Sequence, residues 1–351
     1  MTIPEPHHSN VEGSVHFTSP SNIAIVKYWG KRDIQIPINP SVSFSLKHSI
    51  TDTSIHYRFI PDQNNISFNF MFEGSKNMTF EKKLVVFFDR ISETFPWLLT
   101  CHLTIESRNT FPHSSGIASS ASSYAALALC LSKIHFQITG ETISTEHISN
   151  VARLGSGSAC RSVFGGWNSW GESKISNSSN MYAVHLHGDI HPSFKNIQDT
   201  ILIVSKDKKT VSSSVGHELM DVHPYKNGRI QQACNNTNNL LQILKSGDWD
   251  AFAALAESEA LSLHALMMSS APGYTLLLPN SLSIVQHIRL FREQNNIPVC
   301  FTIDAGPNIH VLYPAANKKQ VQEFILRNLM QYCVQQNLIH DELGDGPAEI
   351  T

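Results

Sequence analysis

"FPHSSGIASSASSYAALALCL", residues 111–131, is the stretch on which the reading of this chain turns. Six serines fall within positions 114–123, and the second half runs into apolar residues at helical spacing. Small hydroxyls ahead of a helix have two readings. In one, a single serine caps the first turn by accepting a bond from an unpaired N–H. In the other, the turn cradles an anion. Glycine then lets the backbone approach, the helix offers free N–H groups and the positive end of its dipole, and the hydroxyls donate. A cap needs one serine, whereas a cradle can use several. The stretch is no Walker loop, because the lysine of G-x-x-x-x-G-K-[ST] is missing. Alone, it leaves both readings open.

Upstream, residues 1–14 read as a loose polar arm. β-like patterns cover 15–46 and 53–72, where Ile55, Tyr57 and Phe59 alternate, as do Ile66, Phe68 and Phe70. An amphipathic helix is expected over 79–93 and a strand over "CHLTIESRN", 101–109. Downstream comes a helix over 119–134, and then "STEHISNVARLGSGSACRSVFGGW", which reads as a capped helix, a Gly/Ser turn and a new helix start. The composition shifts to Ser, Asn, His and Asp between 172 and 200. Beyond it a strand is expected at 200–205 and helices at 212–220, 225–246, 248–268 and 280–295. Two strands, "PVCFTI" and "IHVLYP", flank the turn "DAGPN", and a last helix covers 317–335. A chain of 351 residues exceeds one simple core. The order of elements gives an α+β first half and a helix-rich second half closing on a small sheet. The division expected is 1–14, 15–195 and 196–351.

With 41% hydrophobic and 16% charged residues, the composition is that of a globular protein. A net charge of −3 argues against a general nucleic-acid surface, while leaving room for local positive charge toward a small anion. Cys101, Cys130, Cys160, Cys234, Cys300 and Cys333 are scattered and show no C-x-x-C, which fits reduced, packed thiols. "MTIPEPHHSNVEG" lacks the basic-then-apolar order of a leader, and no apolar run is long enough to span a bilayer, so a cytoplasmic chain is expected.

Three further segments carry candidate chemistry. In "ARLGSGSACRS", 152–162, a flexible turn precedes Arg161, which can grip a carboxylate or phosphate with two parallel bonds or can sit on a helix connector. "SNIAIVKYWGKRD", 21–33, delivers Lys27, Tyr28, Trp29, Gly30 and Lys31 from a strand. That run suits an anionic ligand with an apolar middle, or it is a strand end with snorkelling lysines. In "CFTIDAGPNIHVLY", Asp304 either bonds its own turn or serves as a carboxylate at a cleft rim. His185, His187 and His191 offer a metal site without a fourth ligand. "KDKK", 206–209, reads as a solvated loop, and "VSSSVG", 211–216, as either a helix cap or a ligand contact.

"NIAIVKYWGKRD", "GIASSAS", "RLGSGSACRS" and "TIDAGPN", in this order, resemble the diphosphomevalonate decarboxylases of the GHMP kinase superfamily. Weaker similarity extends over most of 15–330. The resemblance implies a two-domain α+β fold, N-terminally like ribosomal protein S5 domain 2 and C-terminally ferredoxin-like. It implies ATP over the 112–121 loop, with Pro112, Ser115, Gly116, Ser119 and Ser120 contacting it, and Mg²⁺ accompanying the phosphoryl transfer. Asp304 matches the catalytic aspartate, Lys27 the lysine beside the transferred phosphoryl group, and Arg161 the arginine on the substrate carboxylate. Asn22 matches the asparagine that positions substrate and arginine. Tyr28, Trp29, Gly30 and Lys31 match the diphosphate-binding run. Ser156, Gly157 and Ser158 match a substrate-contacting turn, and Ser213 and Ser214 match hydroxyls near the diphosphate. The implied reaction is ATP-dependent decarboxylation of 5-diphosphomevalonate, or a related 3-kinase reaction on mevalonate or its 5-phosphate, by a homodimer. The chain departs from the family in three places. Ser122 and Ser123 stand where relatives carry Ala or Ser and then Gly, "GSKNMTF" offers only Lys76 where some relatives use an arginine, and "NPSVSFSL" lacks the usual serine after asparagine.

Overall fold

In the computed structural model, which describes residues 12–112, 117–207 and 209–351, the chain opens with a meander of strands. These are β1 (Glu12–Val26), β2 (Lys31–Arg32), β3 (Ile36–Pro37), β4 (Ser41–Phe59), β5 (Ser67–Phe72) and β6 (Ser75–Lys76). Helix α1 (Met78–Ile91), β7 (Cys101–Asn109), α2 (Ser119–Thr139), α3 (Thr145–Gly155), β8 (Trp167–Trp170) and β9 (Ala183–His185) follow. The second half holds α4 (Pro192–Lys195), β10 (Ile197–Leu202), α5 (Ser213–Glu218), α6 (Lys226–Ser246), α7 (Trp249–Met268) and α8 (Pro279–Asn295). It ends with β11 (Cys300–Thr302), β12 (Ile309–Pro314), α9 (Lys318–Phe324), β13 (Leu338–Glu342) and β14 (Ala348–Glu349).

The larger sheet runs β14-β1-β4-β7-β5-β6, with β8 on β4 and β9 on β8; β5 and β7 are its parallel pair. Strand β7 shows the expected alternation: Cys101, Leu103, Ile105 and Ser107 point inward against α1 and α2. Helix α2 packs on β1 through small residues, and Ala125, Ala126 and Ala128 are fully buried. Without large side chains between them, helix and sheet come close. The smaller sheet runs β11-β12-β10-β13, all antiparallel, and α7 and α8 pack on β11.

Several expectations shift. Strand β1 starts at Glu12, so residues 12–14 are strand rather than arm, and residues 1–11 lie outside the described residues. The strand expected at 200–205 sits at 197–202. The last helix stops at Phe324 and continues as a π turn, Ile325–Leu329, and short 3-10 turns. Gln335 and Gln336 take left-handed backbone at φ 52°, which ends helical propagation. The reading missed β8, β9, β13 and β14, which are short and carry polar residues.

The missed C-terminal strands lock the two sheets together. β14 pairs with β1 through Phe17–Glu349 and Thr18–Ala348. The Asp341 carboxylate, at the end of β13, accepts the N–H groups of Lys47, His48 and Ser49 in β4 at 2.8, 2.9 and 2.8 Å. Three charge-assisted bonds run from one sheet into the other and hold them together.

Candidate active site

Lys27 follows the end of β1, and Asp304 lies just beyond β11, so each sheet contributes one residue from a strand end. Lys27 Nζ donates to Asp304 Oδ1 at 2.7 Å. Lys27 is 1% exposed, while the Asp304 side chain keeps 23% of its surface open. The Asp304 turn is closed by backbone instead, with Gly306 N–H on the Asp304 carbonyl at 2.7 Å. His264 Nε2 donates to that carbonyl at 3.1 Å, and burial pulls this imidazole down to about 4, so it stays neutral.

Burial disfavours charge on both members of the pair. At Asp304 burial pushes the carboxyl up, but the Lys27 ammonium, His310 and Arg161 together outweigh it and hold the carboxyl below its ordinary value. At Lys27 burial prevails and pulls the ammonium down against the opposing pull of Asp304 and Glu259. The aspartate is thus kept ionised beside a lysine that gives up a proton more easily than in water.

Arg161 lies in a 3-10 turn, Gly157–Val163, and is 3% exposed, so it is no surface connector. Its Nε donates to Asn22 Oδ1 at 3.1 Å and its Nη1 to Ser41 Oγ. Asn22 is held in turn, donating from Nδ2 to Ser162 Oγ at 2.8 Å and to the Ser158 carbonyl at 3.2 Å. Among the described residues Arg161 has no carboxylate partner. A buried guanidinium without one is expensive to leave empty, which makes its surroundings a seat for an anion.

The Tyr28–Lys31 run turns beside α5. His217 of that helix stacks between Tyr28 and Trp29, with ring centroids 4.3 and 4.6 Å away, and its Nδ1 accepts Gly30 N–H at 2.9 Å. Burial pushes this histidine down to about 3, so it is a neutral acceptor. Gly30 has φ +94°, and a Cβ there would meet Ile38 at 2.3 Å; glycine is required. Trp29 is packed among Met220, Leu263 and Leu276, while Lys31 is partly buried with Nζ 3.3 Å from Gln35 Oε1. The Tyr28 hydroxyl is buried without a partner, and a Cβ at Gly157 would lie 2.8 Å from it. Ser212 is the α5 cap, accepting Val215 N–H, which leaves Ser213 and Ser214 exposed and uncommitted to capping.

At the opening stretch, Ser115 and Gly116 lie outside the described residues, and Pro112 stands just before them. Helix α2 begins after Ala118, whose backbone is left-handed at φ 41°, and among the described residues no side chain caps it. No serine occupies the N-cap position itself. Ser120 Oγ reaches Ser156 Oγ at 3.1 Å, joining this turn to the Gly/Ser turn before Arg161. Ser122 Oγ bonds Thr51 Oγ1 at 2.6 Å and the Ser119 carbonyl at 3.2 Å, and Ser123 Oγ bonds the Ser119 carbonyl at 2.8 Å. Ser122 and Ser123, the second of which stands where relatives carry Gly, tie the first turn to itself and to β4. Ser119 and Ser120 also border a cavity of about 100 Å³ walled by Phe70, Phe72, Phe80 and Tyr124.

Among the described residues no group of three or more His, Cys, Asp or Glu can hold a metal; His185 and His187 only face each other, Nδ1 to Nδ1 at 3.3 Å. Sequence reasoning missed Lys209, which is partly buried and feels the Asp304 charge, although "KDKK" read as a solvated loop. It also missed His217, His264, Arg229 and Glu259. Their spacing carries no signal, since each reaches the site from a helix distant in sequence.

Residues 19–182 match the diphosphomevalonate decarboxylase-like N-terminal domain, and residues 200–348 the mevalonate 5-diphosphate decarboxylase C-terminal domain. The diphosphomevalonate decarboxylase of Eremothecium gossypii is 31% identical, over 88% of this chain and 79% of that protein. Among solved structures, mevalonate diphosphate decarboxylase from Staphylococcus aureus superposes with a TM-score of 0.84 at 26% identity, covering 98% of this chain and 100% of that one. MDDEF in complex with MVAPP, AMPPCP and magnesium gives 0.82 at 27% identity, covering 97% and 99%. Both halves of the chain match in register, and the fold is the two-domain α+β fold of the GHMP kinases. The protein belongs to the diphosphomevalonate decarboxylase family.

Proposed function

We propose that this cleft performs the ATP-dependent decarboxylation of (R)-5-diphosphomevalonate to isopentenyl diphosphate, CO₂, ADP and phosphate, a step of the mevalonate route to isoprenoids, with Asp304, Lys27, Arg161 and Asn22 at its reacting end. One observation carries the assignment of roles: a buried arginine without a carboxylate partner stands in the electrostatic field of an ionised aspartate paired to a buried lysine. That arrangement suits a substrate that brings a carboxylate and must lose a hydroxyl proton.

ATP, with Mg²⁺, supplies the phosphoryl group that turns the tertiary 3-hydroxyl into a leaving group. The residues present fit that ligand: α2 offers an N-terminus that no side chain among the described residues caps, an exposed Ser120 hydroxyl and an adjoining apolar cavity. We assign the phosphates to Pro112, Ser115, Gly116, Ser119 and Ser120, and the base to the wall of Phe70, Phe72 and Phe80. Asp304 orients the substrate hydroxyl and accepts its proton at the free edge of the carboxylate. Lys27 balances the negative charge that gathers there. Arg161, aimed by Asn22 and Ser41, holds the C1 carboxylate until it departs as CO₂. Tyr28, Trp29, Gly30 and Lys31, together with Ser156, Gly157, Ser158, Ser213 and Ser214, are assigned to the rest of the substrate and its diphosphate.

In the same reading, residues 15–195 form the ATP-binding domain, residues 196–351 complete the cleft, and the protein is a cytoplasmic homodimer. No helix of the described residues is long and apolar enough to cross a membrane. Light scattering on the purified protein tests the dimer. The reaction is tested with carboxyl-labelled mevalonate, its 5-phosphate and its 5-diphosphate, following ADP and CO₂ in parallel. Equal release of ADP and CO₂ from the diphosphate is expected. ADP without CO₂ would make the enzyme a kinase and overturn the reading.

A further inference from the structure

Lys27 stands where a strand ends, yet it is 1% exposed. The ladder between β1 and β4 runs only as far as Val26–Val42, so the Lys27 backbone has left the sheet while still buried. Its N–H and C=O must find partners elsewhere. They find them in one ion pair. Glu259 of α7 accepts Lys27 N–H through Oε2 at 2.8 Å, and Arg229 of α6 donates from Nη2 to the Lys27 carbonyl at 2.8 Å. The two side chains are also joined in a fork, Nη1 to Oε1 at 2.8 Å and Nη2 to Oε2 at 2.7 Å. Asn236 donates to Glu259 Oε1 at 2.6 Å, Arg229 donates to Gln232 at 2.8 Å, and Asn39 adds a second bond to the Lys27 carbonyl at 3.0 Å. The arginine side chain is 1% exposed and the glutamate 0%.

A sealed ion pair is a costly way to satisfy two backbone groups, because desolvation offsets most of the attraction and neutral amides meet the same need. What neutral side chains lack is a charge and a rigid planar fork. From these contacts we infer that Arg229 and Glu259 are a positioning pair for the phosphoryl-transfer site, clamping the Lys27 peptide from both sides so that its ammonium is held, charged, against Asp304. The inference rests on the assignment of Lys27 to the reacting end. Glu259 acts on Lys27 in a second way. Its negative charge raises the lysine's proton affinity against burial, which pulls that affinity down. The charged and titratable groups facing Lys27 are Asp304 beyond β11, Glu259 and His264 of α7, Arg229 of α6, Arg161 of the 3-10 turn and Asp199 of β10. Replacing Glu259 by a neutral residue removes one of the few negative charges in that set and leaves Arg229 uncompensated.

The test compares Glu259→Gln, Arg229→Lys and Lys27→Met in the full-length enzyme. Each is followed by CO₂ release, KM for both substrates, thermal melting and the pH profile of kcat. Glu259→Gln keeps an acceptor for Lys27 N–H but loses the charge. It should lower kcat by about 10²-fold, as removal of one preorganised charge-stabilising group does elsewhere, with little change in either KM. Its alkaline limb should move to lower pH, because Lys27 then sheds its proton earlier. Arg229→Lys keeps the charge but loses the fork, so kcat should fall about 10-fold with the alkaline limb in place. A folded Glu259→Gln enzyme with wild-type kcat and an unmoved limb overturns the inference. So does a fall in kcat that only tracks the folded fraction in both variants. If Glu259→Gln does not fold, Arg229→Lys decides on kcat: a folded enzyme with wild-type kcat, or a loss that only tracks the folded fraction, overturns the inference. An active Lys27→Met enzyme instead sinks the assignment of Lys27 and leaves the pair as scaffold.

Discussion

Glu257 and Glu259 stand two residues apart on α7 and so face about 200° apart around its axis. Both are buried and both hold arginine. Glu257 takes Arg289 at 2.8 Å and Arg292 at 2.5 Å, two residues of α8 whose side chains stay 42% and 23% exposed. Glu259 takes Arg229 in a pair closed to water. The difference lies in where the second arm of each arginine ends. Arg292 Nη1 also donates to the Val299 carbonyl at 2.8 Å, tying α8 to the start of β11. Arg229 donates to the carbonyl of Lys27. Residue type and helix are shared, and the partner backbone decides whether a glutamate serves the scaffold or the site.

The largest effect expected falls at the far side of the cleft. Asp304→Asn keeps the shape of the side chain and removes the proton acceptor. kcat for CO₂ release should drop by about 10² to 10⁴-fold, with ATP and substrate still binding by calorimetry. In the unaltered enzyme the acid limb assigned to Asp304 should lie below the ordinary carboxylate range, because Lys27, His310 and Arg161 outweigh burial. The sign follows from the role: a base of lowered pKa stays ionised, hence active, as pH falls. A fully active Asp304→Asn enzyme would place the reacting charge elsewhere and dissolve the contrast between the two glutamates.

Arg161→Met comes next. It removes the guanidinium that Asn22 and Ser41 aim, and kcat/KM for the phosphorylated acid should fall about 10- to 100-fold, the worth of a hydrogen bond to a charged group. KM for ATP should move little. Glu257→Gln sharpens the comparison from the scaffold side. Loss of its charge should lower unfolding free energy by about 1–3 kcal/mol, read by denaturant titration, with kcat unchanged. A kcat loss equal to that of Glu259→Gln would erase the distinction.

The residues assigned to anions stood out in the sequence, because such chemistry needs particular side chains within a few positions of one another. Gly30, Ser120, Ser156 and Arg161 each stand in a short run whose composition is unusual for a connector. The strand alternation of β7 and the helix expected over 119–134, which runs on to Thr139, were legible for the same local reason. What escaped was long-range. Arg229 lies 202 positions from Lys27 and reads as one more polar residue in "KNGRIQQACNN". Lys209 sat in a charged tetrapeptide whose burial is decided by the cleft and not by its neighbours in the chain. β13 and β14 escaped because short strands with polar residues carry little pattern, although they lock one sheet to the other.

The smallest effect separates two serines at the starts of neighbouring helices. Ser144 caps α3, accepting His147 N–H at 3.3 Å, whereas α2 starts after Ala118, which has no polar side chain to cap with. Ser144→Ala should therefore lower stability by about 1 kcal/mol and leave the kinetics alone. Ser120→Ala removes an exposed hydroxyl whose one hydrogen bond among the described residues is to Ser156, so stability should change by less than about 0.5 kcal/mol. Its effect should appear in KM for ATP, raised about 2- to 10-fold by one lost neutral hydrogen bond. The reverse pattern, with Ser120 stabilising the fold and ATP affinity untouched, would return the serine-rich turn to an ordinary helix start. The phosphates would then have to be held by the rest of the loop.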